Sequence, residues 1–398
     1  MDRPPACPPT LFFSQGGRAL RGSGKKYPSR PHSPATELIC LSEIYRPPLA
    51  PPVFPEIERV TQEARSFILR HLARLGGGPR LERPLDETVS MCAQLCPDGD
   101  YEGVFLATVF FTLQFVNDDL CDGYDVYEVL QANPASQRIA AVLRTIREQP
   151  HLLARAMESI IHVIREPTRD QFPEELGEAG REAFLYPAFK EFALRLHSYG
   201  QRVGSPHYGS WLHELCESLA RFCRSHALIY RNIESISIEE YSQHKLTNCG
   251  MHHTLLLMEL ATRSFLSPEQ RQLPLTTDLF HCCCSIGSLL NEVFSYEKEH
   301  FRERSGNLVA VIMHKRGCSL RAAVEEVLLL ARRHCSALQR LADQARAELS
   351  MERDEHQSLR RWVRRMETMA AGCWHWQIAG TTRYQSSTSP FAELRTPC

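Results

Sequence analysis

From Glu56 onward, apolar residues recur at helical spacing through almost the whole chain, and no stretch alternates as a half-buried strand does. EIERVTQEARSFILRHLARL carries that spacing, and GGGP at 76–79 stops it. The stretch 101–116 is apolar almost all round, which predicts a central buried helix. SQRIAAVLRTIREQ and HLLARAMESIIHVI read as amphipathic helices. Further helices are predicted over 180–202, 207–235, 250–265, 276–301, 317–349 and 355–378. No dinucleotide Gly pattern, Walker loop or internal repeat interrupts them. The pattern therefore implies an all-α single domain of about 350 residues.

The ends of the chain read differently. Residues 1–36 are rich in Pro, Gly, Ser, Arg and Lys, with Asp2 their only acid. They cannot bury enough surface to offset chain entropy, so they are expected to be disordered. Their basic character fits a transit peptide, but the prolines oppose the amphipathic helix such a peptide forms. LICLSEIYRPPLAPPVFP, within 37–55, suits an extended arm laid across a helical body. The domain is expected to run from 37 to 385, and SSTSPFAELRTPC (386–398) reads as a flexible tail.

Composition narrows the function more than the fold. The chain has 398 residues, 43% of them hydrophobic, which is ample for a large core. A net charge of −1 gives no electrostatic case for nucleic acid or an anionic membrane. No apolar run approaches the length of a spanning helix and no signal-peptide core is visible, so no stable membrane insertion is expected. The 15 cysteines include no C-x-x-C pair and read as reduced thiols. A cytoplasmic location is expected.

Two polar constellations interrupt the apolar pattern. In LLNEVFSYEKEH, Asn291, Ser295 and Glu299 fall at i, i+4 and i+8. On a helix they spread over about 80° of the circumference. Three stacked oxygen-bearing side chains can converge on a hard cation such as Mg²⁺. Lys298 stands one position before the Glu, where it would reach an anion shared with that metal. The alternative is a solvated polar stripe, against which the apolar neighbours Leu289, Leu290, Val293, Phe294 and Tyr296 argue. The second constellation is FVNDDLCDGYD, at the end of the apolar helix, where Asp118 and Asp122 face one way and Asp119 points about 100° aside. Carboxylates crowded there repel one another and oppose the helix dipole unless cations occupy the site. The alternative is an acidic turn that caps the next helix.

Taken together, these stretches resemble class I terpene synthases of the microbial, single-domain type. LLNEVFSYEKEH resembles the family's N-D-x-x-S-x-x-x-E motif, with Glu292 in place of Asp. FVNDDLCDGYD resembles its F-x-x-D-D-x-x-D motif, with Phe115 in place. SISIEEYSQHKLTNCG resembles S-L-E-E-Y-x-x-x-R-x-x-T-x-G, with Lys245 where the family has a diphosphate-sensing Arg, 46 positions before Asn291. Asn248 and Cys249 then fall at the family's helix break, which Gly250 makes feasible. GCWHWQIAGTTRY resembles G-N-x-x-W-S-x-x-T-x-R-Y, with one extra residue between Trp376 and Arg383.

The resemblance implies an all-α bundle around a deep apolar cavity. It implies three Mg²⁺ ions, held by Asp118, Asp119 and Asp122 on one side and by Asn291, Ser295 and Glu299 on the other. Lys245, Lys298, Arg383 and Tyr384 would grip the diphosphate, and the Asn248 and Cys249 carbonyls would face the substrate. Phe111, Phe115, Trp374 and Trp376 are candidate cavity walls or simple core. The implied activity is ionisation and cyclisation of an isoprenoid diphosphate, farnesyl diphosphate by default, by a monomer or homodimer. A chain-elongating prenyltransferase would resemble a protein with two Asp-rich motifs, and this chain has one. A non-catalytic isoprenoid-diphosphate binder, with Lys245 as the mark of decay, is the remaining alternative.

Overall fold

The computed structural model describes residues 38–45, 50–75, 79–122, 136–226, 236–303, 306–349 and 354–396. The expectations for residues 1–36 lie outside the described residues. Leu38–Cys398 forms one compact unit. Its described elements are helices, accompanied by two isolated β-bridges. No described helix is long and apolar enough to cross a membrane.

The longer helices are α1 (Ile57–Leu72), α2 (Pro79–Leu95), α3 (Tyr101–Asp122), α4 (Gln137–Glu148), α5 (Pro150–Arg165) and α6 (Gly177–Ala183). After them come α7 (Tyr186–Val203), α8 (Tyr208–His226), α9 (Ile238–Asn248), α10 (Met251–Thr262) and α11 (Pro274–Phe294). Helices α12 (Leu308–Arg316), α13 (Leu320–Glu348) and α14 (Asp354–His375) complete the bundle. Helix α3 is central, packing against α1, α2, α7 and α10. Its residues from Gly103 to Leu113 are all buried, as an apolar all-round sequence requires. Asp100 fixes its start by accepting from the Gly103 amide at 3.2 Å, the Tyr199 hydroxyl at 3.0 Å and Arg263 at 2.6 Å. Gly103 lets α10 approach closely, since a Cβ there would sit 2.8 Å from Ala261 Cα and from Leu260 O.

Helices α9 and α12 and, longest of the three, α2 go beyond the elements the spacing predicts. Pro84 lies inside α2 and removes a backbone donor, which weakens any local helical signal. Packing against α1, α3 and α14 holds it, with Thr88 Oγ1 2.6 Å from Thr112 Oγ1 across α2 and α3.

The tail expectation is overturned. Residues 386–396 are packed, with Phe391 and Leu394 buried. Ile39 donates to Pro390 O and accepts from the Ala392 amide, each at 2.9 Å. Glu393 accepts from the Leu41 amide at 3.1 Å and from the Ser42 amide and hydroxyl, both at 2.8 Å. The short apolar run in this segment has no periodicity of its own. It is ordered because the N-terminal arm supplies its partners.

Candidate active site

A cavity of about 430 Å³ lies inside the bundle. Every candidate site residue from the sequence lines it except Asp119, Asp122 and Trp374. Asp122 is the last residue of α3, and its side chain lies outside the described residues. Trp374 is core: its ring packs 4.7 Å from Tyr45 and 5.1 Å from Phe294. Trp376 does face the cavity, 6.3 Å from Phe115 and 6.4 Å from Tyr384.

The metal-type motif on α11 keeps its register past the helix end. The α-helix stops at Phe294 and a π-helix runs over Lys298–Glu303. Ser295 still donates its amide to Asn291 O, and Glu299 to Ser295 O, both at 2.8 Å. Asn291, Ser295 and Glu299 therefore stay on one side and line one cavity. Asn291 Nδ2 donates to the Tyr384 hydroxyl at 3.0 Å, which leaves its amide oxygen for another partner. Glu299 accepts from Asn307 Nδ2 at 2.8 Å. Oxygen donors of this kind fit a hard divalent ion.

Opposite them, Arg383 supplies the positive charge that the aspartates of α3 need. Its guanidinium lies 3.3 Å from Asp118 and 2.8 Å from Asp119, and 5.3 Å over the Phe115 ring. Burial opposes its charge, but Asp119 and Asp118 outweigh that and hold it above the usual arginine range. Asp119 Oδ2 is buried without a hydrogen-bond partner among the described residues, 3.8 Å from Arg83. An orphaned carboxylate oxygen beside Asp118 also fits a cation.

Arg383 reaches this place through a local distortion. Helix α14 passes into a π-helix at Trp376–Gly380, and a π turn takes up one residue more than an α turn. That accommodates the extra residue between Trp376 and Arg383. The Trp376 indole fixes the turn by donating to Glu87 O at 2.8 Å.

Helices α9 and α10 are separated by a break, where Gly250 has φ +73°. Asn248 and Cys249 line the cavity at that break. Burial pushes the Cys249 thiol up, so it stays protonated. Lys245 lies one turn earlier, buried, with its ammonium 2.6 Å from Glu292 and 3.6 Å from Glu299. Burial alone would depress it, but Glu292 and then Glu299 hold it well above its usual range.

Sequence reasoning passed over Glu292, which the family's ligand set omits. It is fully buried and also accepts from the Tyr241 hydroxyl at 3.1 Å and the Leu308 amide. Its signal was available, because Glu292 and Lys245 both depart from the resembled motifs. Gln114 and His253 also line the cavity and were passed over. Nothing local marks them, since they pair across 139 positions.

Comparison with known proteins bears on the family and the fold. Residues 109–340, more than half of the chain, match the model of terpene synthase family 2, C-terminal metal binding. A 7-epi-alpha-eudesmol synthase of Streptomyces viridochromogenes, named as cyclising (2E,6E)-farnesyl diphosphate, is 25% identical over 178 residues, 42% of this chain and 52% of that protein. A germacradien-6-ol synthase of Streptomyces pratensis is 31% identical over 102 residues, 25% of this chain and 27% of that one. The chain thus spans about half and about a quarter of the length of these relatives. Among solved structures, a cucumene synthase variant matches with a TM-score of 0.61 and 16% identity, covering 84% of this chain and 99% of the other. Hedycaryol synthase matches at 0.59 and 18%, covering 83% and 96%. At that identity the likeness is one of fold: an all-α class I terpenoid synthase bundle.

Proposed function

The chain belongs to terpene synthase family 2, and on that premise we propose that it ionises an isoprenoid diphosphate and cyclises the resulting carbocation. Farnesyl diphosphate is the first candidate substrate. The observation that carries this reading is one cavity with oxygen donors, cationic side chains and an aromatic wall.

Asp118, Asp119 and Asp122 on one side, and Asn291, Ser295 and Glu299 on the other, would hold Mg²⁺, three ions in all. Bound there, the metal neutralises diphosphate charge and makes it a better leaving group. The protein's own groups do the rest. Lys245, Lys298 and Arg383 offer positive charge to the diphosphate oxygens, in a site fixed before the reaction begins. The Tyr384 hydroxyl accepts from Asn291, so its own proton remains to donate to a diphosphate oxygen. Asn248 and Cys249 bring polar backbone to the same cavity at the helix break. Phe111, Phe115 and Trp376 present ring faces that stabilise a carbocation and keep bulk water out.

The test is incubation of purified protein with Mg²⁺ and the C10, C15 and C20 prenyl diphosphates, with diphosphate release and volatile products measured. Mg²⁺-dependent cyclic C15 products are expected. Chain elongation on adding isopentenyl diphosphate, or no product from any substrate, would overturn the reading.

A further inference from the structure

Away from its ionic groups, the cavity wall carries a hydrogen-bonded polar pair beside Phe111 and Phe222. Gln114 Nε2 and Oε1 lie 2.9 and 3.1 Å from His253 Nε2, and His253 is 1% exposed. The Phe222 ring packs at 5.1 Å and Phe110 at 6.1 Å from the imidazole. A Cβ at residue 250 would sit 3.2 Å from His253 Nε2, so the glycine at the helix break keeps that nitrogen uncrowded. Burying an amide and an imidazole here costs desolvation that an apolar pair would avoid.

Gln377 adds a third polar group to the same cavity. It is 3% exposed, and its Nε2 donates to Cys373 O at 3.1 Å. Its Oε1 is buried with no hydrogen-bond partner among the described residues. A buried water needs roughly two to four polar partners, and these three side chains can supply them.

We propose that Gln114, His253 and Gln377 hold a water at the cavity wall that ends the cyclisation, so that the product is a terpene alcohol. The proposal rests on the terpene synthase reading and adds the product class and the residues that set it. In the step, a lone pair of the water oxygen forms a C–O bond to the cationic carbon. The resulting oxonium breaks one O–H bond, its electron pair stays on oxygen, and the proton passes to the diphosphate released in the ionisation. No oxidant or reductant is needed. A bare imidazole nitrogen beside a carbocation would itself be alkylated, and the Gln114 amide covers Nε2 against that.

The experiment is turnover of farnesyl diphosphate with Mg²⁺ in ¹⁸O-labelled water, with products analysed by mass spectrometry. The wild-type protein is expected to give an alcohol carrying ¹⁸O. Gln114→Leu, His253→Phe and Gln377→Leu should each lower the ratio of alcohol to hydrocarbon among the products by about tenfold, the scale of one lost hydrogen bond. His253→Gln, which keeps a polar partner, should recover part of the alcohol. Hydrocarbons alone from the wild-type protein, or an unchanged ratio in all three variants, overturns the water site and leaves the terpene synthase reading standing. No diphosphate release from any prenyl diphosphate overturns both. If one variant does not fold, the other two still test the site, and hydrocarbons alone from the wild-type protein still overturn it.

Discussion

The Lys245 ammonium lies 2.6 Å from Glu292 Oε1, and both side chains are buried. These residues are two departures from the motifs the chain resembles, Lys for Arg and Glu for Asp, and they meet as one ion pair. The exchange keeps both charges, with the shorter cationic head met by the longer acid.

Removing Lys245 should therefore affect stability as well as chemistry. Lys245→Met leaves Glu292 buried without its cation, at a cost of about 3–5 kcal/mol, and urea denaturation will read it. Adding Glu292→Leu to Lys245→Met should recover much of that loss. On the chemical side, Lys245→Met should slow turnover by about thirty- to a thousandfold, the scale of one lost preorganised donor. Lys245→Arg with Glu292→Asp, which restores the residues of the resembled motifs, should retain both folding and turnover. A Lys245→Met protein as stable and as fast as the parent would sink this account.

Asn291→Ala and Glu299→Ala should each abolish turnover while leaving helical circular dichroism intact. Asn307 still donates to Glu292 O at 2.9 Å when Glu299 is lost, so the fold should lose no more than about 1.5 kcal/mol. A second readout does not depend on turnover. Mg²⁺ with inorganic diphosphate should raise the melting temperature of the parent and fail to raise that of either variant.

His252 sets an acid limit on stability. Burial first, then Arg221, pushes its imidazole down to about 4. Its folded value lies below the unfolded one, so between pH 6.5 and 4 the unfolded chain binds the proton first. Stability is then present above about pH 6.5 and is lost as pH falls through 4, by up to about 3 kcal/mol. His252→Asn, which can keep the bond to Ser218 Oγ, should flatten that window in denaturation curves. An unchanged pH profile would rule the assignment out.

The two ends of the chain should respond oppositely to truncation. Phe391→Ala should cost about 3–5 kcal/mol, the range for a fully buried Phe. Deleting 386–398 should lower the melting temperature further, because Ile39, Leu41 and Ser42 lose their partners. Deleting 1–36 should change neither melting nor turnover, and a loss of either would move the domain boundary.

Sequence alone determined what helix geometry carries locally. Apolar periodicity gave the all-α class and the central helix α3, and fixed spacing put Asn291, Ser295 and Glu299 on one face. Gly250 marked the break between α9 and α10, because a backbone at positive φ suits glycine. Helix α2 escaped because its prolines weaken the local pattern and its partners lie on other helices. Tertiary structure alone decided the pairings between distant segments: Lys245 with Glu292, Arg383 with Asp118 and Asp119, Gln114 with His253, and Ile39 with Phe391. Each joins groups that gain from each other only after the bundle has excluded water around them. No residue in such a pair carries the partner's identity in its own neighbourhood of sequence.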